Sequence, residues 1–392
     1  MKVPKQIWCN KCTYPTSSAT PLILDNKGIC SGCRTHEQQD YLFLNPIEKQ
    51  QRLDVLFQLI QPYRKKDNYD CIIPVSGGKD SFWQTHMVVN VLHMRPLLLC
   101  FNENAETEVG RRNLLQIKRA FPTAGYINYT PPIETLKKMN LASFKMMGDC
   151  DWHAHVGIFT VPMQFAVKFD IPLIVWGEHG FMDLGGMHSY NDYVEFTAKY
   201  RKEHNLRGFD WEDFVGKEEL TEQELCWCKY PTDDEIENTG LRGIFLSNFI
   251  GWKQETHAKF VHEIHGFEYD DWGHFSRTFV KDTALNNIHD MNWHDALRWI
   301  KFGYGKATDH TSRLIRQGLM RREKAIELVL DYDHRAPNYL NKWLEYVGLT
   351  ARDCYEIADK FRSPKVWAKD KGGSWWKMDI DGEARNYGPL VW

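Results

Sequence analysis

Six residues that could handle phosphate stand in one run. Ser76, Gly77, Gly78, Lys79, Asp80 and Ser81 form "SGGKDS" directly after the apolar segment "YDCIIPV". Adjacent glycines let a backbone turn tightly and bring its N–H groups against an anion. Lys79 adds a point charge, and the hydroxyls of Ser76 and Ser81 add donors. From Asp80 onward, "DSFWQTHMVVNVL" carries Phe82, Met87, Val88 and Val91 on what reads as a helix. A helix start contributes unbonded N–H groups and the positive end of its dipole. Strand, glycine turn and helix together make a cradle for phosphate. Asp80 would repel a bare phosphate, so it either reaches one through magnesium or caps the helix.

A second group is built for metal. Cys9 and Cys12 in "CNKC", and Cys30 and Cys33 in "CSGC", form two C-x-x-C knuckles. Two knuckles close a tetrahedral four-thiolate shell with no open position, which suits zinc in a structural role, with iron second. Two further clusters are weaker. "GDCDWHAH" crowds Cys150, Asp151, His153 and His155 together, but adjacent ligands seldom close a shell alone, and a substrate-facing helix start is the better reading. Cys226 and Cys228 in "CWC" would have to meet Cys150 to hold an iron–sulfur cluster.

The elements that must position these groups alternate. "YDCIIPV", "PLLLCF", "GYINYT" and "PLIVWG" read as short strands, and "RGIFLSNFI" as a further strand or a buried turn. Between them, "EVGRRNLLQIKRAF" and "VGIFTVPMQFAVKF" read as helices. Such alternation predicts a Rossmann-like α/β fold, a mostly parallel sheet covered on both faces. Ligands bind at the carboxyl ends of its strands. The Ser76 turn, "NENAE" with Asn102 and Glu103, and "GEHG" with Glu178 and His179 all fall at such ends. Asn102 and Glu103 are therefore expected beside the cofactor. "EKQQRLDVLFQLIQPY" predicts an amphipathic helix with Leu53, Leu56, Phe57 and Ile60 in the core. Three regions are expected: a zinc ribbon over 1–40, a nucleotide domain over 41–310 and a helical C-terminal region over 311–392. A polar insertion near 186–240 is suited to a lid or a partner surface. In "RLIRQGLMRREKAIELVLDY", Ile326, Val329 and Leu330 take core spacing, and the charges are expected on a solvated face.

Composition bounds the rest. The chain has 392 residues, 43% hydrophobic and 26% charged, with a formal net charge of -3. These values are ordinary for a globular protein, and no basic surplus recruits nucleic acid. Neither a signal-peptide pattern nor an apolar run long enough to span a membrane occurs. Ten cysteines without a secretion signal point to metal binding in a reducing, cytoplasmic setting.

"SGGKDS" resembles the PP-loop signature of the ATP pyrophosphatases, Rossmann-like enzymes that split ATP into AMP and pyrophosphate. The likeness extends through "DWHAHVGIFTVPMQFAVKFDIPLIVWGEHG", "RGF" followed by Trp211, and "KFGYGKATDHTSRLIRQG", together with the cysteine pairs. Along nearly its whole length the chain is similar to the N-acetyl sugar amidotransferases of bacterial surface-glycan biosynthesis. That resemblance implies a nucleotide-linked sugar substrate whose acetamido group becomes acetamidino. It also implies ammonia from a separate glutaminase of the imidazole glycerol phosphate synthase type. ATP would sit on the PP-loop and magnesium on Asp80. Lys301 and Lys306, on glycine-flanked backbone, would clamp pyrophosphate, unless that segment is only a solvated connection between helices. Glu178 and His179 would face ATP or the acetamido group, unless they only cap a helix and bond backbone. No cysteine here stands in the sharp turn of a triad glutaminase, and Met1-Lys2 excludes an N-terminal nucleophile. The alternative within the same superfamily is a tRNA-thiolating enzyme.

Overall fold

The computed structural model describes residues 1–19 and 22–389, so positions 20–21 within the expected ribbon and the end of the expected C-terminal region at 390–392 lie outside it. Five strands form the central sheet: β1 (Cys71–Pro74), β2 (Pro96–Phe101), β3 (Gly125–Tyr129), β4 (Leu173–Trp176) and β5 (Arg242–Phe245). Their order is β3-β2-β1-β4-β5, and every pairing is parallel. Strand order therefore reverses between β1 and β4, which opens a crevice at their carboxyl ends.

The strands are apolar on both faces because both faces are covered. Cys71 and Ile73 of β1, with Leu98 and Cys100 of β2, point into one core. Ile72, Leu97, Leu99 and Phe101 point into the other. The first core is closed by α2 (Pro46–Ile60), α3 (Lys79–His86), α4 (Glu108–Ala120) and α10 (Gln254–His265). The second is closed by α5 (Ile133–Met147) and α6 (Trp152–Lys168). Short helix α7 (Gly180–Gly185) precedes the insertion, and α8 (Ala198–Tyr200) and α9 (Asp233–Thr239) punctuate it. That insertion is not a detached polar lid. Phe214 stacks on Trp152 at 4.3 Å and Trp227 on Phe101 at 5.2 Å, so its aromatic residues complete the second core. In α2, Leu56 and Ile60 are buried as the spacing predicts, but Phe57 is 38% exposed and Arg52 is buried in its stead.

Helix α1 (Ser31–Leu44) carries Cys33 and ends the ribbon, and α11 (Asp295–Phe302) and α12 (Lys306–Arg316) lead into α13 (Arg322–Tyr332), α14 (Leu340–Val347) and α15 (Ala351–Asp359) of the C-terminal region. This region is not wholly helical. Strands β6 (Trp367–Lys369), β7 (Trp375–Met378) and β8 (Ala384–Asn386) form a small antiparallel sheet. The border expected at 310/311 falls inside α12, so no linker separates the regions there. Two buried tyrosines and Thr13 fasten the ribbon to α12. The Tyr14 hydroxyl donates to Asp309, and Thr13 Oγ1 lies 2.7 Å from Thr311 Oγ1 and 2.9 Å from Ser312 Oγ. Tyr304 packs edge-on against Tyr14 at 5.7 Å.

A strap over 282–289 runs across the carboxyl edge of the sheet. Ile288 N donates to Ala105 O at 2.7 Å, and both N and Oγ1 of Thr107 donate to Leu285 O. Helix α4 can approach the strap because Gly110 has no side chain; a Cβ there would lie 2.0 Å from Leu285 O. Backbone on both sides leaves little room to yield. Gly110→Ala should therefore cost about 1–3 kcal/mol of stability. Urea denaturation checks this, and an unchanged midpoint would show that the strap moves without cost.

Candidate active site and metal centre

The glycine turn leaves β1 at its carboxyl end, as the sequence predicts. Gly77 holds φ +74°, and a side chain there would meet Leu114 N at 2.9 Å. The turn is internally braced: Ser76 N donates to Ser81 Oγ at 2.9 Å, and Gly78 N to Ser76 Oγ at 3.3 Å. Gly78 precedes α3 without a side-chain cap, so the first N–H groups of that helix keep no local side-chain acceptor.

Lys79 and Asp80 pair with each other at the start of α3. Lys79 is 4% exposed, with Nζ 3.0 Å from Asp80 Oδ2 and 3.9 Å from Asp282 Oδ1. Burial opposes the charge on both. The neighbouring carboxylates outweigh it for Lys79, whose pKa is raised, and the Lys79 ammonium outweighs it for Asp80, whose pKa is lowered. Burial raises Asp282 instead.

From β4, across the switch point, comes Glu178. Its Oε2 accepts from Gln254 Nε2 of α10 at 2.8 Å, and its Oε1 lies 3.7 Å from Arg313 Nη2. Burial raises Glu178 to about 7, against the pull of Arg313 and with the push of Asp183. Arg313 also donates from Nε to Asp183 Oδ2 at 2.6 Å. Four ionisable groups from the start of α3, the loop after β4 and α12 thus meet at the crevice, with Asp282 from the strap.

Arg313 escaped the sequence reading, as did Arg316. Both lie in the segment whose charges were expected in solvent, yet the Arg313 side chain is 11% exposed and Arg316 is 5% exposed. Seven of the residues in α12 are buried, Thr308, Asp309, His310, Thr311 and Ser312 among them. A helix rich in short polar residues beside two arginines was the available signal: it suits burial among charges, not in oil.

Other expected residues are placed differently. Lys301 lies at the end of α11, where Nζ donates to Met147 O at 2.8 Å and its charged neighbours are Asp149 and Arg207. The structure does not bring it to the turn. Lys306 opens α12. Burial first, then the charges of Arg313, Lys306 and Lys79, hold His310 well below its usual pKa, so Lys306 does share the neighbourhood of the turn. The backbone around the two lysines is not a flexible connection: Gly303 caps α11, and Asp333 Oδ1 accepts from Ala307 N at 3.0 Å at the start of α12. His179 is 1% exposed, with N donating to Ser247 Oγ and Nδ1 accepting from Met182 N at 3.3 Å. Its ring packs on Phe245 and Tyr200, so it takes the capping role, behind Glu178. Asn102 shapes its own loop, accepting from Asn104 N at 2.7 Å and donating to Glu106 at 2.6 Å. Glu103 is drawn to the start of α6, beside Asp151 and His153.

The four ribbon cysteines converge. All are buried, and their Sγ atoms lie within 4.8 Å of one another. Cys9 Sγ accepts from the N–H groups of Cys12 and Cys30 at 3.4 and 3.3 Å, as a thiolate would. Arg316 Nη2 stands 3.7 Å from Cys30 Sγ and offsets the negative charge of such a shell. The donor set fits a closed tetrahedral metal. Cys150 and Cys228 belong to separate cores and Cys226 is exposed, so these three do not assemble.

Residues 273–380 match the family model of the C-terminal domain of WbpG-like lipopolysaccharide biosynthesis proteins, which supports the surface-glycan resemblance. Asp282, Arg313 and Arg316 all fall in that segment. No curated protein matches the chain. Among solved structures, it is similar to the U34-tRNA thiolase NcsA from Methanococcus maripaludis with its [4Fe-4S] cluster, at 12% identity and a TM-score of 0.30, over 87% of this chain and 95% of that one. It is also similar to NAD+ synthetase from Burkholderia pseudomallei, at 15% identity and a TM-score of 0.26, over 62% of this chain and 91% of that one.

Two outcomes follow from the site's physics. Cys9→Ser should lower bound metal from one zinc per chain toward none and lower the melting temperature, because a closed shell contributes folding energy; metal analysis of the purified protein reads the first, and full zinc retention would refute it. Glu178 has a folded pKa near 7, above its unfolded value of about 4.3. Its contribution to stability is therefore full below the unfolded pKa and is lost as pH rises through about 7. Glu178→Gln escapes that loss, so in nucleotide-free protein its melting temperature should gain on the parent's between pH 4 and pH 8. A pH-independent difference would count against the burial of this carboxylate.

Proposed function

We propose that this chain, whose C-terminal segment matches a lipopolysaccharide-biosynthesis family, is an ATP-dependent amidotransferase acting on the N-acetyl group of a nucleotide-linked sugar. What carries the reading is the meeting of Lys79, Asp80, Glu178 and Arg313 at the carboxyl ends of β1 and β4, around a glycine turn whose helix start has no side-chain cap.

The chemistry needs such a site. An amide carbonyl is a poor electrophile, and its oxygen is a poor leaving group. The carbonyl oxygen attacks the α-phosphorus of ATP, and the bond to pyrophosphate breaks, giving an O-adenylyl imidate. Ammonia then adds to the imidate carbon, the C–O bond breaks with AMP as leaving group, and an amidine remains. Negative charge grows on departing pyrophosphate, so preorganised donors there accelerate the first step. The turn N–H groups, Ser76, Ser81 and Lys79 would perform that task, and Arg313 with Lys306 would supply the cationic side in place of Lys301. Asp80 is the carboxylate that would hold a magnesium ion, which would neutralise phosphate charge when bound with ATP. In the second step, Glu178 titrates near neutral pH and is suited to accept a proton from the attacking ammonia. Zinc in the ribbon is structural. Ammonia comes from a separate glutaminase, and the chain works in the cytoplasm.

Isotope-labelled ATP tests the adenylation: AMP and pyrophosphate should form in the presence of a UDP- or other nucleotide-linked N-acetyl sugar and ammonium salt at alkaline pH. Lys79→Ala and Arg313→Ala should each slow AMP formation by about 10²–10³-fold. Mass spectrometry of the sugar should show oxygen replaced by NH. Glutamine alone should give no product until a glutaminase is added. Release of ADP and phosphate, or AMP formation that depends on tRNA instead of a sugar, would overturn the reading.

A further inference from the structure

We propose that Glu103, Asp151 and His153 bind a divalent first-row transition ion at a site distinct from both the ribbon and the glycine turn. Glu103 follows β2 at the carboxyl edge of the sheet. Asp151 and His153 stand at the start of α6, whose N-terminus reaches the same edge. One carboxylate oxygen from each acid and one imidazole nitrogen lie within 4.8 Å of one another. That spread is what three ligands at about 2.0–2.2 Å from a common centre allow after modest tightening.

The residues are interior ones. Glu103 is 8% exposed, and Asp151 and His153 are each 2% exposed. Placing two carboxylates in one buried cluster costs free energy, which a dication at their centre offsets. His153 is an independent pointer. Among the described residues, its Nε2 makes a long contact, 3.4 Å, to Asn140 Nδ2, and its Nδ1 is buried with no hydrogen-bond partner. A buried imidazole with an unsatisfied nitrogen is costly, and coordination would recover that cost. Asn287, on the strap, braces the acids from outside: its Nδ2 donates to Asp151 Oδ1 at 2.9 Å and also to Glu103. Such an outer partner is typical of carboxylates that hold metal.

Ligand chemistry selects the ion. One imidazole with two carboxylates suits manganese, iron(II) or zinc better than the all-oxygen preference of magnesium and calcium. Three protein ligands leave positions open for water or for a substrate oxygen.

The probe is Mn²⁺ added to the full chain with its ribbon zinc in place and no nucleotide present. Electron paramagnetic resonance titration should show one Mn²⁺ bound per chain, and pulsed measurements should show coupling to an imidazole nitrogen. Glu103→Gln and His153→Gln should weaken binding by about tenfold or more, whereas Asp80→Asn should leave it unchanged. The nitrogen coupling is read on the unmutated chain, so the test survives even if the variants fail to fold. No bound Mn²⁺, bound Mn²⁺ without nitrogen coupling, or binding lost in Asp80→Asn but kept in His153→Gln would each overturn the assignment.

Discussion

Two arginines buried three residues apart on one helix set the architecture around them. A guanidinium does not deprotonate at any relevant pH, so burial obliges the protein to surround it with anions or carbonyls. Arg313 is met by Asp183 and Glu178, and Arg316 by the carbonyls of Asp183 and Leu184 and by Cys30 Sγ. Helix α12 is thereby pinned between the loop after β4 and the cysteine cluster. The ribbon is then more than a peripheral staple. Its thiols and the crevice carboxylates are ligands to two side chains of the same helix, so losing metal at one end should be felt at the other.

The carboxyl edge of the sheet organises the remaining polar groups. Strand reversal between β1 and β4 opens the crevice, and the strap over 282–289 crosses it. Asp282 closes on Lys79 at one end of the strap, and Asn287 closes on Glu103 and Asp151 further along. The two clusters are therefore held by one short piece of backbone, itself seated on Gly110 of α4. Below that edge the sheet is apolar on both faces, which gives these charged loops a rigid base.

The opposition of charges at the crevice explains its protonation pattern. Burial alone would neutralise every group. Lys79 and Asp80 stay charged because each is the other's partner, whereas Glu178 shares Arg313 with Asp183 and gains less from it. One carboxylate is thus held ionised beside the turn, while another, brought in from the loop after β4, can exchange a proton near neutral pH.

Much of this was legible in the sequence, for local reasons. The glycine turn after β1 announces itself because backbone shape and helix start are set by adjacent residues, and the two C-x-x-C knuckles likewise carry their own geometry. Apolar runs at regular intervals fix a parallel α/β sheet, since only burial on both faces tolerates them. What the tertiary structure decided is which distant charges meet. The spacing of Arg313 and Arg316 says helix but cannot say that the helix is buried, because that depends on the anions brought to it from Glu178, Asp183 and Cys30. Lys301 and Lys306 look equivalent in the sequence, yet the corner between α11 and α12 sends one to the Met147 carbonyl and the other toward the turn. Glu103 and His153, fifty residues apart, share a site only because parallel strands place β2's end and α6's start on one edge of the sheet.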